Sequence, residues 1–382
     1  MSEARLHVTL VAHEVGTAGG MERQLGVLVS GLVEGGHEVT VVAGACALGT
    51  RPGLRWVRVP GPRRPFSLWY AWFFLLGTIA VSRRRKGLVH TTGAIVLNRA
   101  DVSTVHFCHR AFHSRRPETR ARTRSMPYLL NAWVSSHLSR AAEGLCYRPR
   151  MTQRLVAVSD GVAQELRDCF PSMAGRVEVI PNGVDHAAFA PNESERNRLR
   201  AAWGIGGEEL VALFVGGDWE RKGLRYAIEA VAKAPGWHLV VVGDGDAEGY
   251  RALAERVGAG SRVRFEGVAE DTAPYYAAAD SFVLPTAYET FSLVTFEAAA
   301  AGLPLLVSRV SGVDEILVQG RNGHYIDRDG DVIAESLNTL SRDSGLRRAM
   351  GEAARADSAR FDWSRAVEAY RALYDRLDQG DS

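Results

Sequence analysis

Two glutamates with seven residues between them, Glu289 and Glu297, are the pair whose spacing most directly implies chemistry. On a helix they lie roughly two turns, about 12 Å, apart. That separation suits one carboxylate on the diol of a ribose and the other on a sugar ring, with a diphosphate at the helix start between them. A helix N-terminus supplies the free backbone N–H groups and partial positive charge that a diphosphate needs. Glu297 is the only charged residue between Glu289 and Arg309. A lone carboxylate in so apolar a setting is costly to bury without hydrogen-bond donors. The plainer alternative is a helix whose single Glu faces water, but the four alanines after Glu297 leave little of a solvated face.

The stretch carrying the pair reads as strand, turn and helix. Ser281–Leu284 is strand-like, Thr290 and Ser292 are cap-type residues, and Leu293–Ala301 suits a helix. Gly302 fits the position just past it, and Pro304 blocks continuation. The same alternation runs through the chain. In the first half the predicted strands are Leu6–Val11, Val39–Ala43, Leu54–Val59, Leu88–Thr91, Val102–Phe107, Arg154–Ser159 and Val177–Ile180. In the second they are Leu210–Val215, His238–Val242, Val263–Phe265, Ser281–Leu284, Leu305–Ser308 and His324–Ile326. Such a pattern predicts an α/β chain with doubly wound parallel sheets and ligands at the carboxyl ends of strands.

Three further groups follow predicted strands. Gly16–Gly20 is a glycine-rich turn leading into the helix Met21–Val33, without the G-x-G-x-x-G spacing of dinucleotide sites. Val102–Phe107 ends beside His106 and His109; an isolated histidine there is most often a satisfied core residue. Arg221-Lys222 follows Leu210–Val215 and reads either as surface charge or as a phosphate contact.

With 382 residues the chain is comfortable for two domains. Residues 1–175 hold 23 Lys and Arg against 11 Asp and Glu, a balance of +12, and the remainder balances at −10. One basic half reads as meeting an anionic surface or substrate; alternatively the two halves attract each other. Phe66–Val81 is uncharged and aromatic-rich, bracketed by Arg63-Arg64 and by Arg83–Lys86. It reads equally as a helix buried against a sheet or as a membrane-surface helix, and it is short of the roughly 20 residues that span a bilayer. Arg110–Arg124, with six arginines, reads as a solvated loop. The four cysteines have no metal spacing and are expected as reduced thiols, and no secretory leader is expected.

The E-x7-E pair, with E-T-F-S-L-V and A-A-A-G-L-P around it, resembles the retaining glycosyltransferases of the large GT4-type family with the GT-B fold. So do G-G-M-E-R-Q, R-K-G-L, P-N-G-V-D, G-D-G and F-E-G-V elsewhere in the chain. The resemblance implies two Rossmann-like domains facing a cleft, 1–180 on the acceptor side and 181–360 for the nucleotide sugar. The helix in 361–382 would cross back to the first domain. It further implies transfer of a sugar from a nucleoside-diphosphate donor, a UDP- or GDP-sugar, with retention and without a metal or other cofactor. His106, Glu289, Arg221 and Lys222 would be the catalytic residues. Gly19, Gly20, Val268, Thr290, Phe291, Ser292, Leu293 and Glu297 would bind the donor. Where many members carry an arginine this chain has Gly217, so Arg221 would supply the second positive charge. The expected partners are a glycan, lipid-linked or small-molecule acceptor and an anionic membrane surface, not nucleic acid. The expected setting is cell-envelope glycan synthesis in the cytoplasm, at the inner face of the membrane. The rival readings are a nucleotide-sugar epimerase, a phosphorylase-like enzyme on the same fold, or a nucleotide-sugar-binding, membrane-docking protein without turnover.

Overall fold

The computed structural model describes residues 5–16, 19–62, 64–114 and 126–380. The chain divides into two units, one formed by Met1–Gly183 with Trp363–Ser382 and one by Val184–Asp362. Each is a parallel sheet with helices as crossovers, the architecture of a Rossmann-like domain.

Unit 1 contains β1 (His7–Val15), α1 (Gly20–Glu34), β2 (Glu38–Cys46), β3 (Leu54–Arg58), α2 (Phe66–Arg84), β4 (Leu88–Thr92) and β5 (Ala100–Val105). It continues with α3 (His109–Ser114), α4 (Met126–Cys146), β6 (Thr152–Ala157), α5 (Asp160–Cys169) and β7 (Val177–Val179). The seven strands lie in the order β3-β2-β1-β4-β5-β6-β7, all parallel. Strands β1 and β2 are buried through their middle residues and β4 along its whole length, as expected where helices cover both faces of a parallel sheet.

Unit 2 contains α6 (Glu193–Trp203), β8 (Leu210–Val215), α7 (Trp219–Lys222), α8 (Leu224–Lys233), β9 (Trp237–Val242), α9 (Ala247–Arg256), β10 (Val263–Gly267) and α10 (Ala273–Ala278). There follow β11 (Ser281–Leu284), α11 (Leu293–Ala300), β12 (Leu305–Val307), β13 (Gly323–Tyr325), α12 (Gly330–Arg342) and α13 (Ser344–Ser358). Its six strands run parallel in the order β10-β9-β8-β11-β12-β13.

The last helix, α14 (Trp363–Asp378), belongs to unit 1. Its Tyr370, Leu373, Tyr374 and Leu377 share a core with Leu25, Leu28 and Leu32 of α1 and with Val8 and Leu10 of β1. His90 of β4 joins the helix to the sheet, its Nδ1 2.6 Å from the Tyr374 hydroxyl and its Nε2 2.7 Å from Thr104 Oγ1. Thr104 in turn lies 2.8 Å from the Tyr370 hydroxyl. The great majority of fully buried polar groups are paired in this way.

Two sequence expectations change. Arg110–Arg124 is not loop throughout, because α3 takes in His109–Ser114 and the rest, 115–125, lies outside the described residues. The buried Glu143 carboxylate of α4 starts that helix, accepting from the His109 N–H at 2.7 Å and the Arg110 N–H at 3.1 Å. The Phe66–Val81 run forms α2, which continues to Arg84 and is buried along one face, as the core reading expects. It is long and apolar enough to cross a membrane by length and composition alone. Yet it is the crossover between β3 and β4, with Phe73 and Val81 fully buried. Its opposite face is exposed.

Candidate active site

In a doubly wound sheet, ligands bind outside the carboxyl ends of the strands where the strand order reverses. In unit 2 that point lies between β8 and β11, which are neighbours in the sheet but not in sequence. The segments after these two strands carry most of the expected donor residues. Among the described residues, the two non-glycine positions with positive φ are here as well. Asp218 (φ 49°) caps α7 and Ser292 (φ 64°) caps α11. Left-handed backbone in residues with a Cβ is strained, and such strain clusters at functional sites.

Glu289 accepts from Lys222 Nζ at 3.0 Å, from Arg221 Nη1 at 3.1 Å and from the Thr286 hydroxyl at 3.2 Å. Arg221 also donates to the Tyr288 carbonyl at 2.5 Å and to Asp218 Oδ2 at 3.1 Å. Arg328 holds this turn in place, donating to the Arg221 carbonyl at 2.6 Å and the Glu220 carbonyl at 3.0 Å. Burial alone would push the Glu289 carboxyl up, but the Lys222 and Arg221 charges and their hydrogen bonds outweigh it. The group is held below the usual carboxylate range and stays ionised. Gly216 makes the packing possible: its φ is +134°, and a Cβ there would lie 2.6 Å from Lys222 Cε. Lys222 is therefore a buried, paired cation, whereas its position after a strand end reads as a surface-loop charge.

Helix α11 starts at Leu293, as the cap signals imply, but Ser292 does not cap it in the usual manner. Its hydroxyl lies 2.8 Å from Thr295 Oγ1 and makes no side-chain bond to the first-turn N–H groups. The left-handed turn at Ser292 holds the chain there instead. Phe291 is buried and stacks on Phe296 with centroids 4.2 Å apart. Glu297, half-buried one turn into the helix, accepts from the hydroxyl of the buried Tyr276 at 2.9 Å. Thr290 is half-buried beside Glu289. Val268 follows the left-handed Gly267 at the end of β10 and is 75% exposed.

In unit 1 the order reverses between β1 and β4. Gly19 (φ +86°) caps α1 without a side-chain bond, and both Gly19 and Gly20 are exposed. The positive φ at Gly19 is what favours glycine there, since the nearby Glu22 carboxylate is the mobile end of a side chain and could swing away from a Cβ. His106 follows β5. Its Nε2 is enclosed without a hydrogen-bond partner among the described residues. Burial pushes its imidazole down to about 4, so the ring is neutral. His109 is likewise lowered to about 4 by burial. Burial also raises Glu143 to about 7, against the pull of the two N–H groups it accepts from. A concavity of about 510 Å³ opens at the carboxyl ends of β1 and β2, lined by Glu14, Gly16, Glu22, Cys46, Trp56 and Arg58.

The structure thus brings Arg221, Lys222 and Glu289 into direct contact and sets Thr290, Phe291, Ser292 and Leu293 on the adjoining turn. Glu297 lies further along α11, while His106, Gly19 and Gly20 belong to unit 1. Sequence reading missed Asp218, Thr286, Tyr276 and Arg328. Asp218 and Thr286 carried a signal, being polar residues just past the ends of β8 and β11. Tyr276 and Arg328 carried none, since each meets its partner only through the fold. Among the described residues no three His, Cys, Asp or Glu side chains group as metal ligands.

Residues 18–188 match the model of Glycosyltransferase Family 4, and residues 209–343 match that of Glycosyl transferases group 1. One falls on each half of the chain, and the chain belongs to this glycosyltransferase family. A D-inositol 3-phosphate glycosyltransferase of Corynebacterium jeikeium (strain K411) is 32% identical over 239 residues, 58% of this chain and 57% of that protein. An uncharacterized glycosyltransferase of Methanocaldococcus jannaschii is 33% identical over 220 residues, 55% of this chain and 56% of that one. The chain thus matches a little over half the length of these relatives. Among solved structures, WaaG, a glycosyltransferase involved in lipopolysaccharide biosynthesis, superposes with a TM-score of 0.80 at 22% identity. That match covers 96% of this chain and 99% of WaaG. Anabaena HepE in complex with UDP-glucose gives 0.72 at 20% identity, over 98% and 100%. These likenesses establish the GT-B fold.

Proposed function

We propose that the protein is a retaining glycosyltransferase that moves a sugar from a nucleoside-diphosphate donor to a hydroxyl of its acceptor. The observation that carries this reading is the contact of Lys222 and Arg221 with Glu289 at the strand-order reversal of unit 2. Breaking the glycosidic bond to a diphosphate leaves negative charge on the leaving group. Two fixed cations and the N-terminus of α11 offset that charge without reorganising, which is electrostatic catalysis that needs no metal. Before the donor arrives, Glu289 neutralises part of the cationic charge. Once the diphosphate engages Lys222 and Arg221, the Glu289 carboxylate is released to accept sugar hydroxyls. Glu297 takes the ribose, and the backbone near Val268 takes the base. For unit 1 the family resemblance assigns His106 to the sugar and the Gly19-Gly20 turn to the phosphates. Attack comes from the face the leaving group departs from, as the family resemblance implies.

The donor is a UDP- or GDP-sugar, matching the UDP-glucose bound by HepE. The acceptor is a glycan, a lipid-linked sugar or a small polyol; the relatives named for D-inositol 3-phosphate make a phosphorylated polyol the first small molecule to try. The reaction is assigned to the cytoplasm, with peripheral attachment to the membrane. A panel of nucleotide sugars in a thermal-shift assay, followed by release of nucleoside diphosphate with each acceptor class, tests the reading. A ligand of the folded state raises the melting temperature by mass action. Donor binding without release would support the non-catalytic alternative, and a product sugar altered but still on its nucleotide would support an epimerase.

A further inference from the structure

Eleven of the sixteen large apolar side chains exposed among the described residues sit on just two helices, α2 and α4. Leu68, Trp72, Leu75 and Ile79 are exposed in steps of four, three and four, which traces one stripe along α2. The helix is also apolar on its inner face, where Trp69, Tyr70, Phe73 and Val81 are buried. On α4, Met126, Leu130 and Trp133 continue an exposed stripe with the same spacing, and Tyr128 and Leu129 lie beside it. The two helices start side by side, since the Ser67 N–H donates to Asn131 Oδ1 at 3.1 Å. The exposed Phe66 and Leu68 therefore lie at the same end of the pair as Tyr128, Leu130 and Trp133. An apolar surface of this extent, on a unit already holding a full core, marks an interaction site.

The charges around it select the partner. The α2 stripe runs on from Ile79 to Arg83, and Arg84, Arg85 and Lys86 follow, all exposed, with exposed Arg64 at the opposite end. Helix α2 holds no acidic residue, and the one acid of α4, Glu143, is buried at its far end. A two-fold pairing of this face with a second copy would set these cations against themselves. Trp and Tyr amid Leu and Ile, with a border of Arg and Lys, is the composition that settles at a lipid headgroup boundary. We infer that the exposed α2–α4 face docks unit 1 on an anionic lipid bilayer. Trp72, Leu75, Leu130 and Trp133 enter the acyl boundary, and Arg83–Lys86 meet lipid phosphates. The inference deepens the transferase reading by placing the acceptor at a membrane, and it is tested without any turnover.

The experiment is co-sedimentation of the full chain with vesicles of phosphatidylcholine alone or with about one third phosphatidylglycerol, at low and high salt, with no donor present. Both leucines are more than half exposed, so Leu75→Glu with Leu130→Glu should leave the thermal melt unchanged while weakening vesicle binding at least about tenfold. Arg83→Ala with Arg84→Ala should weaken binding roughly tenfold or more on the anionic vesicles, and salt should do the same to the parent protein. Equal sedimentation with both kinds of vesicle, or parent-like binding by the leucine variant, overturns the inference. So does light scattering that shows a dimer of the parent and a monomer of the leucine variant, with neither bound to vesicles. Loss of nucleotide-sugar binding would touch the transferase reading alone.

Discussion

Lys222 Nζ and Glu289 Oε1 lie 3.0 Å apart, joining the turn after β8 to the loop after β11. With Arg221 on the same oxygen, a single carboxylate faces two cations in a largely buried setting. On the proposed reading, that carboxylate stands in for the donor's diphosphate until the donor binds.

Replacing that stand-in separates catalysis from binding. Glu289→Ala should lower kcat by roughly tenfold to a hundredfold, the loss of charged hydrogen bonds of about 1.5–3 kcal/mol. Affinity for the free nucleoside diphosphate should hold or rise, because Lys222 and Arg221 are then unopposed. Steady-state kinetics with nucleotide titration calorimetry measure both, and an unchanged kcat would remove Glu289 from the chemistry.

Changing the lysine should affect folding as well as function. Lys222→Met leaves Glu289 with Arg221 and Thr286 only, at a cost of about 1–3 kcal/mol in urea unfolding. Lys222→Glu should be worse, setting two buried carboxylates face to face. Arg221→Ala, at a more exposed position, should cost less stability yet still weaken donor binding. Full activity in Arg221→Ala would mean that another cation makes up for Gly217.

Acid should destabilise the fold in a defined window. His13, His106 and His109 are held at about 4 against an ordinary 6.5, in each case by burial. The unfolded chain therefore binds protons there that the folded chain refuses, so stability falls as pH drops from 6.5 toward 4. Glu143 acts in the opposite sense. Raised from 4.5 to about 7, it keeps its proton in the folded state between those values and so gains stability as pH falls. These three histidines, together with His90 at about 3, outweigh one glutamate, and Glu143→Gln should steepen the acid loss. Melting temperatures at pH 7, 6 and 5 for the two proteins check the sign.

The α14 anchor is open to a quieter test. Tyr374→Phe keeps the ring in the core but strands His90 Nδ1, at a cost of about 1–3 kcal/mol. Tyr370→Phe takes a partner from Thr104, which keeps His90, and from the buried Gln24 amide, which donates to that hydroxyl at 3.4 Å, so it should cost about as much. Chemical denaturation compares the two.

The strands were legible because parallel sheets covered on both faces use long apolar runs, such as Leu210–Val215, which the structure reproduces residue for residue. The clustering of Glu289 to Leu293 at a strand end was legible because polar residues and turn signals coincide there. What could not be read is what only tertiary contact decides. Nothing in R-K-G says that Lys222 turns inward, because its partner lies 67 residues away. Glu143 caps α3 from 34 residues away, so the local arginines suggested a loop. Helix α2 is apolar all round, and composition alone cannot say which half a neighbouring helix leaves uncovered.

The chain leaves unit 1 at Gly183 and returns to it at Trp363, so unit 2 is an uninterrupted stretch set inside a discontinuous partner. During synthesis, Val184–Asp362 can close its sheet as soon as it clears the ribosome. Unit 1, begun first, must wait for the last helix to cover α1 and His90. Until then the surface awaiting Tyr370 and Tyr374 stays open. The half made first is finished last, and a premature stop between Asp362 and Tyr370 would spare unit 2 while leaving unit 1 without its closing piece.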